Sequence, residues 1–285
     1  MRFRCCANTA ERSAIVPGTV STLHTFIDTH PRLFVLTGAG ISTDSGIPDY
    51  RDGQGAWKRS PPMTLQMFMS GPPARARYWA RGMIGWRHFS SVSPNLAHRA
   101  LARMEHEGRI ELLLTQNVDG LHEAAGSLNV VDLHGRLDRV RCMQCGDITT
   151  RAAMQARLEE ANPAWLALQA TVAPDGDADL DEVDFSAFVI PTCTVCGGIL
   201  KPDVVFFGEN VPRARVDTAW AHLARADAML VVGSSLMVYS GYRFVLEASR
   251  KGLPIASVNL GVTRADALID VKIEQSVTDA LAPYA

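Results

Sequence analysis

The chain is predicted to fold as an α/β protein, a parallel sheet with helices on both faces, interrupted by one small inserted module. Three observations predict it. Largely apolar runs recur at residues 33–36, 110–114, 130–133, 228–232 and 254–258, those at 33–36 and 228–232 without polar interruption, the pattern of strands buried on both faces. Several of these runs end abruptly in glycine or small polar residues, and open α/β sheets bind ligands just beyond the carboxyl ends of their strands. Two Cys-x-x-Cys pairs, Cys142 with Cys145 and Cys193 with Cys196, stand between such runs and mark a separate unit within the sheet domain.

The 285 residues suffice for a sizeable core, either as one large domain or as a main domain with an insertion. With 47% hydrophobic and 20% charged residues the composition is that of a globular protein. A net charge of -2 supplies no basic field, so nucleic acid is not an expected partner. No apolar run approaches the roughly 20 residues needed to span a bilayer. The amino end carries arginines but no sustained apolar stretch, so it does not read as a secretory signal, and Glu11 argues against a mitochondrial presequence. The expected setting is the reducing cytoplasm, or the mitochondrial matrix if the source is eukaryotic, with the chain acting as a monomer. Cys5 and Cys6, adjacent near the terminus, read as incidental thiols.

The first buried run, residues 33–36, leads at once into Gly38-Ala39-Gly40. Without Cβ atoms, Gly38 and Gly40 allow backbone N–H groups to approach a bulky anion, and a helix after them would aim its positive end at a phosphate. Thr43 stands where the dehydrogenase fingerprint has its third glycine, so the turn alone is equally compatible with an ordinary strand-to-helix connection. The cluster Ile47-Pro48-Asp49-Tyr50-Arg51 shifts the balance, setting a rigid proline, a carboxylate, a ring and a guanidinium where a charged planar ligand would be handled.

Residues 53–71 show no steady period and read as a flexible segment. Residues 73–89 read as a helix with Tyr78 and Arg81 on one face, compatible with an ordinary surface helix. Asn95 caps a helix over 96–107 that Gly108 stops. The second run ends in Gln116-Asn117-Val118-Asp119 and the third in His134-Gly135, so three strand ends deliver polar groups to one crevice. His134 is one of eight histidines, distinguished by its place at a strand end before a glycine, and an imidazole titrating near neutrality would serve there as a base.

Each Cys-x-x-Cys pair offers two thiolates from one turn, and the two pairs complete a closed four-sulfur shell for one structural Zn²⁺. Disulfide pairing is the competing reading, but no secretory signal supports it. Between the knuckles, residues 151–168 read as a helix and 173–184 as a solvated acidic loop whose spacing does not match an EF-hand. The sheet is expected to resume at 203–209 and continue through 228–232, 254–258 and 271–273, with Gly233, Ser234 and Asn259 placed for the far half of a nucleotide. The expected division is an N-terminal segment and first helix (1–30), a Rossmann-like domain (31–138 and 200–285) with a helical, flexible cofactor-loop insertion (48–95), and a zinc-binding module (139–199).

Taken in order, the glycine loop, Gln116-Asn-Val-Asp119, Leu133-His134-Gly135, the paired knuckles and Gly233-Ser-Ser resemble a sirtuin, an NAD-dependent protein lysine deacylase. The resemblance covers about residues 25–280. Gly46-Ile-Pro-Asp-Tyr-Arg51, Arg77-Tyr-Trp-Ala-Arg81, Lys201-Pro-Asp-Val-Val-Phe-Phe-Gly208 and Val238-Tyr-Ser-Gly-Tyr-Arg243 resemble the class II, sirtuin-four type, although Tyr50 stands where many sirtuins have Phe. The resemblance implies NAD contacts at Gly38, Ala39, Gly40, Asp44, Ile47, Pro48, Asp49, Tyr50, Arg51, Gln116, Asn117, Asp119, Gly233, Ser234, Ser235, Asn259, Leu260, Gly261 and Val277. It further implies His134 as general base with Asn117 beside it, and acyl transfer from lysine to ADP-ribose with release of nicotinamide. An acyl-lysine protein or peptide would add as a strand between Val205, Phe207, Gly208 and Glu209 on one side and Val238 on the other. Tyr78 and Arg81 resemble the pair that grips acidic acyl groups, so succinyl-type or longer adducts are expected. The same resemblance suggests that the 173–184 loop restricts the acyl channel. ADP-ribosyl transfer or lipoamide hydrolysis at the same site is the nearest alternative, and a non-catalytic NAD or ADP-ribose binding module a more distant one.

Overall fold

The computed structural model describes residues 16–58, 62–167 and 183–285. The 173–184 loop falls almost wholly outside the described residues, as do Cys5 and Cys6.

In chain order the elements are β1 (Val16–Pro17), α1 (Val20–Thr29), β2 (Leu33–Thr37), α2 (Leu65–Met69), α3 (Pro72–Phe89), α4 (Leu96–His106), β3 (Ile110–Thr115), α5 (Leu121–Ala124), β4 (Val130–Asp132), β5 (Gly135–Cys142), β6 (Ile148–Thr150), α6 (Arg151–Ala161), β7 (Leu200–Val204), α7 (Arg213–Leu223), β8 (Ala228–Val232), α8 (Tyr239–Arg250), β9 (Ile255–Val258), β10 (Val271–Ile273) and α9 (Val277–Leu281). Seven of the strands form one parallel sheet in the order β1-β10-β9-β8-β2-β3-β4. With alternate side chains pointing to opposite, covered faces, the central strands β2 and β8 are buried throughout. Leu33 and Val35 of β2 pack with Leu23, Ile27, Leu101 and Met104 of α1 and α4. Phe34 and Leu36 point the other way, into Val216, Leu223, Phe244 and Val245 of α7 and α8.

From β2 the chain winds outward through β3 and β4, and from β8 it winds the opposite way through β9 and β10. The winding therefore reverses between β2 and β8, and the carboxyl ends of these two neighbours, at Thr37 and Val232, open the crevice where such sheets take ligands.

A second, antiparallel sheet has the order β6-β5-β7. It corrects one expectation: Leu200–Val204 pairs with β5, Gly135 opposite Val204, rather than resuming the parallel sheet. Leu-Lys-Pro-Asp-Val is not an apolar run, and strand propensity does not name a partner. The small sheet also reaches past both ends of the 139–199 span, to Gly135 and Val204. Its core joins Val140, Cys142, Met154, Leu158, Phe188, Cys193 and Leu200 to Trp79, Ala80 and Met83 of α3.

Two further differences have local causes. No α-helix follows the glycine turn; short 3-10 turns at Ala39–Ile41 and Thr43–Ser45 take its place, ended by left-handed Gly46. Thr, Asp and Ser are weak helix formers and Pro48 bars continuation. The helix begun at Arg151 stops at Ala161 because Asn162-Pro163 follows. Within the segment read as flexible, Thr64 caps the short α2 through the amide of Met67.

Candidate active site

A cavity of about 560 Å³ opens over the reversal point. Its walls come from the strand ends: Gly38, Ala39 and Gly40 after β2; Gln116, Asn117, Val118 and Asp119 after β3; His134 after β4; Gly233, Ser234 and Ser235 after β8; Asn259 and Leu260 after β9. Ile47, Asp49, Tyr50 and Arg51 close it on the loop side, and Val205, Phe207, Gly208, Glu209 and Val238 complete the rim. Sequence reading thus finds most of the lining. Asp44, Pro48, Arg81, Gly261 and Val277 are not among the lining residues; Val277, the first residue of α9, is buried in the core.

The glycines act differently from the expectation. Gly38 N–H donates to Val232 O at 3.1 Å and Gly40 N–H to Gly233 O at 2.8 Å, so neither amide is free for a ligand. What glycine provides is close approach. A Cβ on Gly38 would lie 2.8 Å from that of Ser234, and one on Gly40 2.9 Å from the Gly233 carbonyl. The ends of β2 and β8 can meet only without side chains there.

Beyond this seam runs a chain of hydrogen bonds. Gln116 Nε2 donates to Ser234 Oγ (2.9 Å) and Thr37 O (3.2 Å). Asn117 Nδ2 donates to Gly38 O and to Ser42 Oγ, both at 3.1 Å. Ser42 Oγ–H in turn donates to Asp119 Oδ2 at 2.7 Å. Burial pushes the Asp119 carboxyl above the ordinary range, against the Leu121 amide and Ser42 hydroxyl that favour its charged form. Ser42 is absent from the sequence expectations, because a serine two residues after a glycine carries no signal until the fold brings it to Asn117 and Asp119. Leu236, just past Ser234 and Ser235, has φ 58°, a left-handed backbone uncommon for leucine and typical of ligand-holding loops.

His134 faces this network from β4. Its Nδ1 lies 2.9 Å from Gln116 O and its Nε2 2.7 Å from Ser240 Oγ. A carbonyl only accepts, so Nδ1 carries the proton and Nε2 presents its lone pair. Burial lowers the imidazole pKa to about 4, with Arg215 and Arg243 adding to the fall and the Gln116 carbonyl opposing it. This corrects the expectation of titration near neutrality: the ring is a neutral base at pH 7. Sequence position cannot disclose how deeply a ring is buried.

On the loop side, Asp49 pairs with Lys58, and Arg51 donates to Gly55 O at 2.7 Å while stacking 3.9 Å from the Trp57 ring centroid. Glu209 accepts from Lys201 Nζ and from the Phe206 amide, each at 3.0 Å, and so braces the segment expected to meet a peptide. Met63, Val118, Leu137, Phe206 and Tyr78 give the cavity an apolar lining and belong to one packed cluster. Tyr78 packs edge-on to Phe68 and Phe206 at 5.4 and 5.3 Å.

The four cysteines gather away from the cavity. All four Sγ atoms lie within 4.8 Å of one another, Cys142 to Cys196 at 3.5 Å and Cys145 to Cys193 at 3.7 Å. Sulfurs about 2.3 Å from one Zn²⁺ in a tetrahedron stand roughly 3.8 Å apart, whereas a disulfide needs about 2.05 Å. Amides of Gln144 and Val195 point at Cys142 and Cys193 Sγ, both at 3.4 Å, as thiolate ligands require. The donor set fits one structural zinc.

The Sir2 family model matches residues 38–240. A protein named NAD-dependent protein deacetylase from Xanthomonas axonopodis pv. citri is 64% identical over 92% of this chain and 89% of its own length. The human protein named NAD-dependent protein lipoamidase sirtuin-4, mitochondrial, is 49% identical over 93% of this chain and 85% of its own. Among solved structures, a Sir2 enzyme with a p53 peptide and NAD+ superposes with a TM-score of 0.73 at 31% identity, covering 93% of this chain and 97% of that one. With a switch-point cavity, a buried imidazole at its wall and a four-sulfur cluster away from it, the chain belongs to the Sir2, or sirtuin, family, and its likeness to the human protein supports the class II, sirtuin-four branch.

Proposed function

We propose that the chain is an NAD-dependent protein lysine deacylase that moves an acyl group from lysine to ADP-ribose and releases nicotinamide. The observation that carries this reading is His134, held with Nε2 as acceptor in the same cavity as Asn117, Asp119 and Gln116. NAD, when bound, supplies a ribose carbon whose bond to nicotinamide is broken. Asn117 and Asp119, fixed through Ser42, hold the nicotinamide end, and Gln116 with Ser234 and Ser235 holds ribose and phosphate. His134 accepts the proton of a ribose hydroxyl at Nε2. Met63, Val118, Leu137 and Phe206 exclude water and receive the acyl chain.

An acyl-lysine peptide between Phe207–Glu209 and Val238 agrees with the exposure of Phe207 and the placement of both segments on the rim. The apolar lining supports longer acyl groups, lipoyl included. Support for acidic acyl groups is narrower, because Tyr78 lines the cavity and Arg81 does not. None of the described helices is long and apolar enough to cross a membrane. The reading includes a cytoplasmic monomer acting on peptides, with the zinc module, 139–199, as a separate structural unit.

The test is a panel of acetyl-, octanoyl-, lipoyl- and succinyl-lysine peptides with NAD, following nicotinamide release and product masses. Formation of O-acyl-ADP-ribose supports the reading. ADP-ribosylated protein as the main product would favour the transferase alternative, and NAD binding without nicotinamide release would reduce the protein to a binding module.

A further inference from the structure

One pairing in the cavity goes beyond NAD chemistry. Ser240 Oγ lies 2.7 Å from His134 Nε2, and His134 Nδ1 is steered by the Gln116 carbonyl at 2.9 Å. A hydroxyl, a base within hydrogen-bond reach and a third group orienting that base make up the arrangement that activates a nucleophile. The surroundings suit the charge that such an attack creates. Ser240 is the second residue of the 12-residue α8, whose N-cap, Val238, provides no side-chain cap. The amides of Gly241 and Tyr242 both donate to Val238 O at 3.2 Å, so what the helix start offers the serine is its positive end. One turn further on, Arg243 Nε donates to Ser240 O at 3.1 Å, and its Nη2 is buried with no hydrogen-bond partner. That leaves a cationic donor beside the pair. Gly241 lets α8 come this close, since a Cβ there would sit 2.4 Å from Gln116 Oε1.

We propose that Ser240 is an acylatable nucleophile and that the Ser240–His134 pair hydrolyses acyl esters of ribose hydroxyls without NAD. Ser240 Oγ bonds to the ester carbonyl carbon while its proton passes to His134 Nε2. The carbon–oxygen bond to the leaving alcohol then breaks, and the alcohol takes that proton. Water adds to the acyl-serine, giving one proton to His134; the Oγ–carbon bond breaks, and the proton returns to Oγ. The sum is ester plus water to carboxylic acid plus alcohol. The choice of a ribose ester rests on the deacylase reading, because O-acyl-ADP-ribose would be formed in this cavity.

The experiment uses the full chain without NAD or peptide, so its outcome is separate from that of nicotinamide release. Purified O-acetyl-ADP-ribose and p-nitrophenyl butyrate are the probes. The expected result is ADP-ribose and p-nitrophenolate released above the buffer rate, with a butyryl mass on Ser240 in the digested parent enzyme. Ser240→Ala and His134→Ala should each lower both rates at least tenfold, and Ser240→Cys should trap a longer-lived thioester. The adduct on the parent enzyme is read without depending on the folding of any variant. Hydrolysis of O-acetyl-ADP-ribose at the buffer rate, parent rates in Ser240→Ala, or acylation confined to other residues would overturn the proposal.

Discussion

His134 shows how much a single side chain depends on its neighbours. Burial and two arginines keep its ring neutral far below the ordinary imidazole value of about 6.5. The base form is the unprotonated one, so lowering the pKa keeps it fully available at neutral and mildly acidic pH and removes it only near pH 4. The expected kcat/KM of deacylation is therefore flat from pH 8 down to about 5.5 so far as this group is concerned. A limb centred near 6.5 in the parent enzyme would show instead that the ring is solvated. Replacing His134 by Ala is expected to lower turnover about 10²- to 10⁴-fold while leaving the melting temperature close to the parent's. Ser42→Ala removes the link between Asn117 and Asp119; it should weaken nicotinamide inhibition more than it lowers overall stability, as paired inhibition and thermal melts would show.

Among the elements, α4 and the β5–β7 junction carry more than their length implies. Asn95 caps α4 by accepting from the amides of Ala97 and His98, and its Nδ2 donates to Ile41 O at 2.7 Å, fastening the helix to the glycine loop. Asn95→Ala is expected to cost about 1–2 kcal/mol, measured by urea midpoint, and to loosen NAD binding along with it. Asn95→Asp, which keeps the acceptor and loses the donor, should recover stability more than binding. Gly135 has φ 82°, and a Cβ there would stand 2.0 Å from Asp203 O. Gly135→Ala should destabilise by more than about 1 kcal/mol, with a lower urea midpoint as the readout.

For the whole molecule, what could be read in the sequence was what leaves a local trace. Buried parallel strands show as largely apolar runs, and the knuckles show as spacing, so the sheet, the zinc ligands and the strand ends at Gln116–Asp119 and His134 were all legible. Pairing was not: nothing in Leu200–Val204 says that its partner is β5. Ser42 and Ser240 are unremarkable as letters and acquire partners only when α8 and the glycine loop converge on the cavity. The cysteine cluster yields a further prediction. Chelation should release one zinc per chain and lower the melting temperature, since Cys142 and Cys193 belong to the core that α3 shares with the small sheet.

The base also stands at a seam between the two sheets. His134 follows β4 of the large one and immediately precedes β5 of the small one, and its carbonyl accepts the Val205 amide at 2.7 Å. Its reach is thus set by both bodies at once, as a pivot is set by the two plates it joins. Metal far from the chemistry would then govern aim: a chain slowly stripped of its ion should lose turnover while its grip on the dinucleotide lingers.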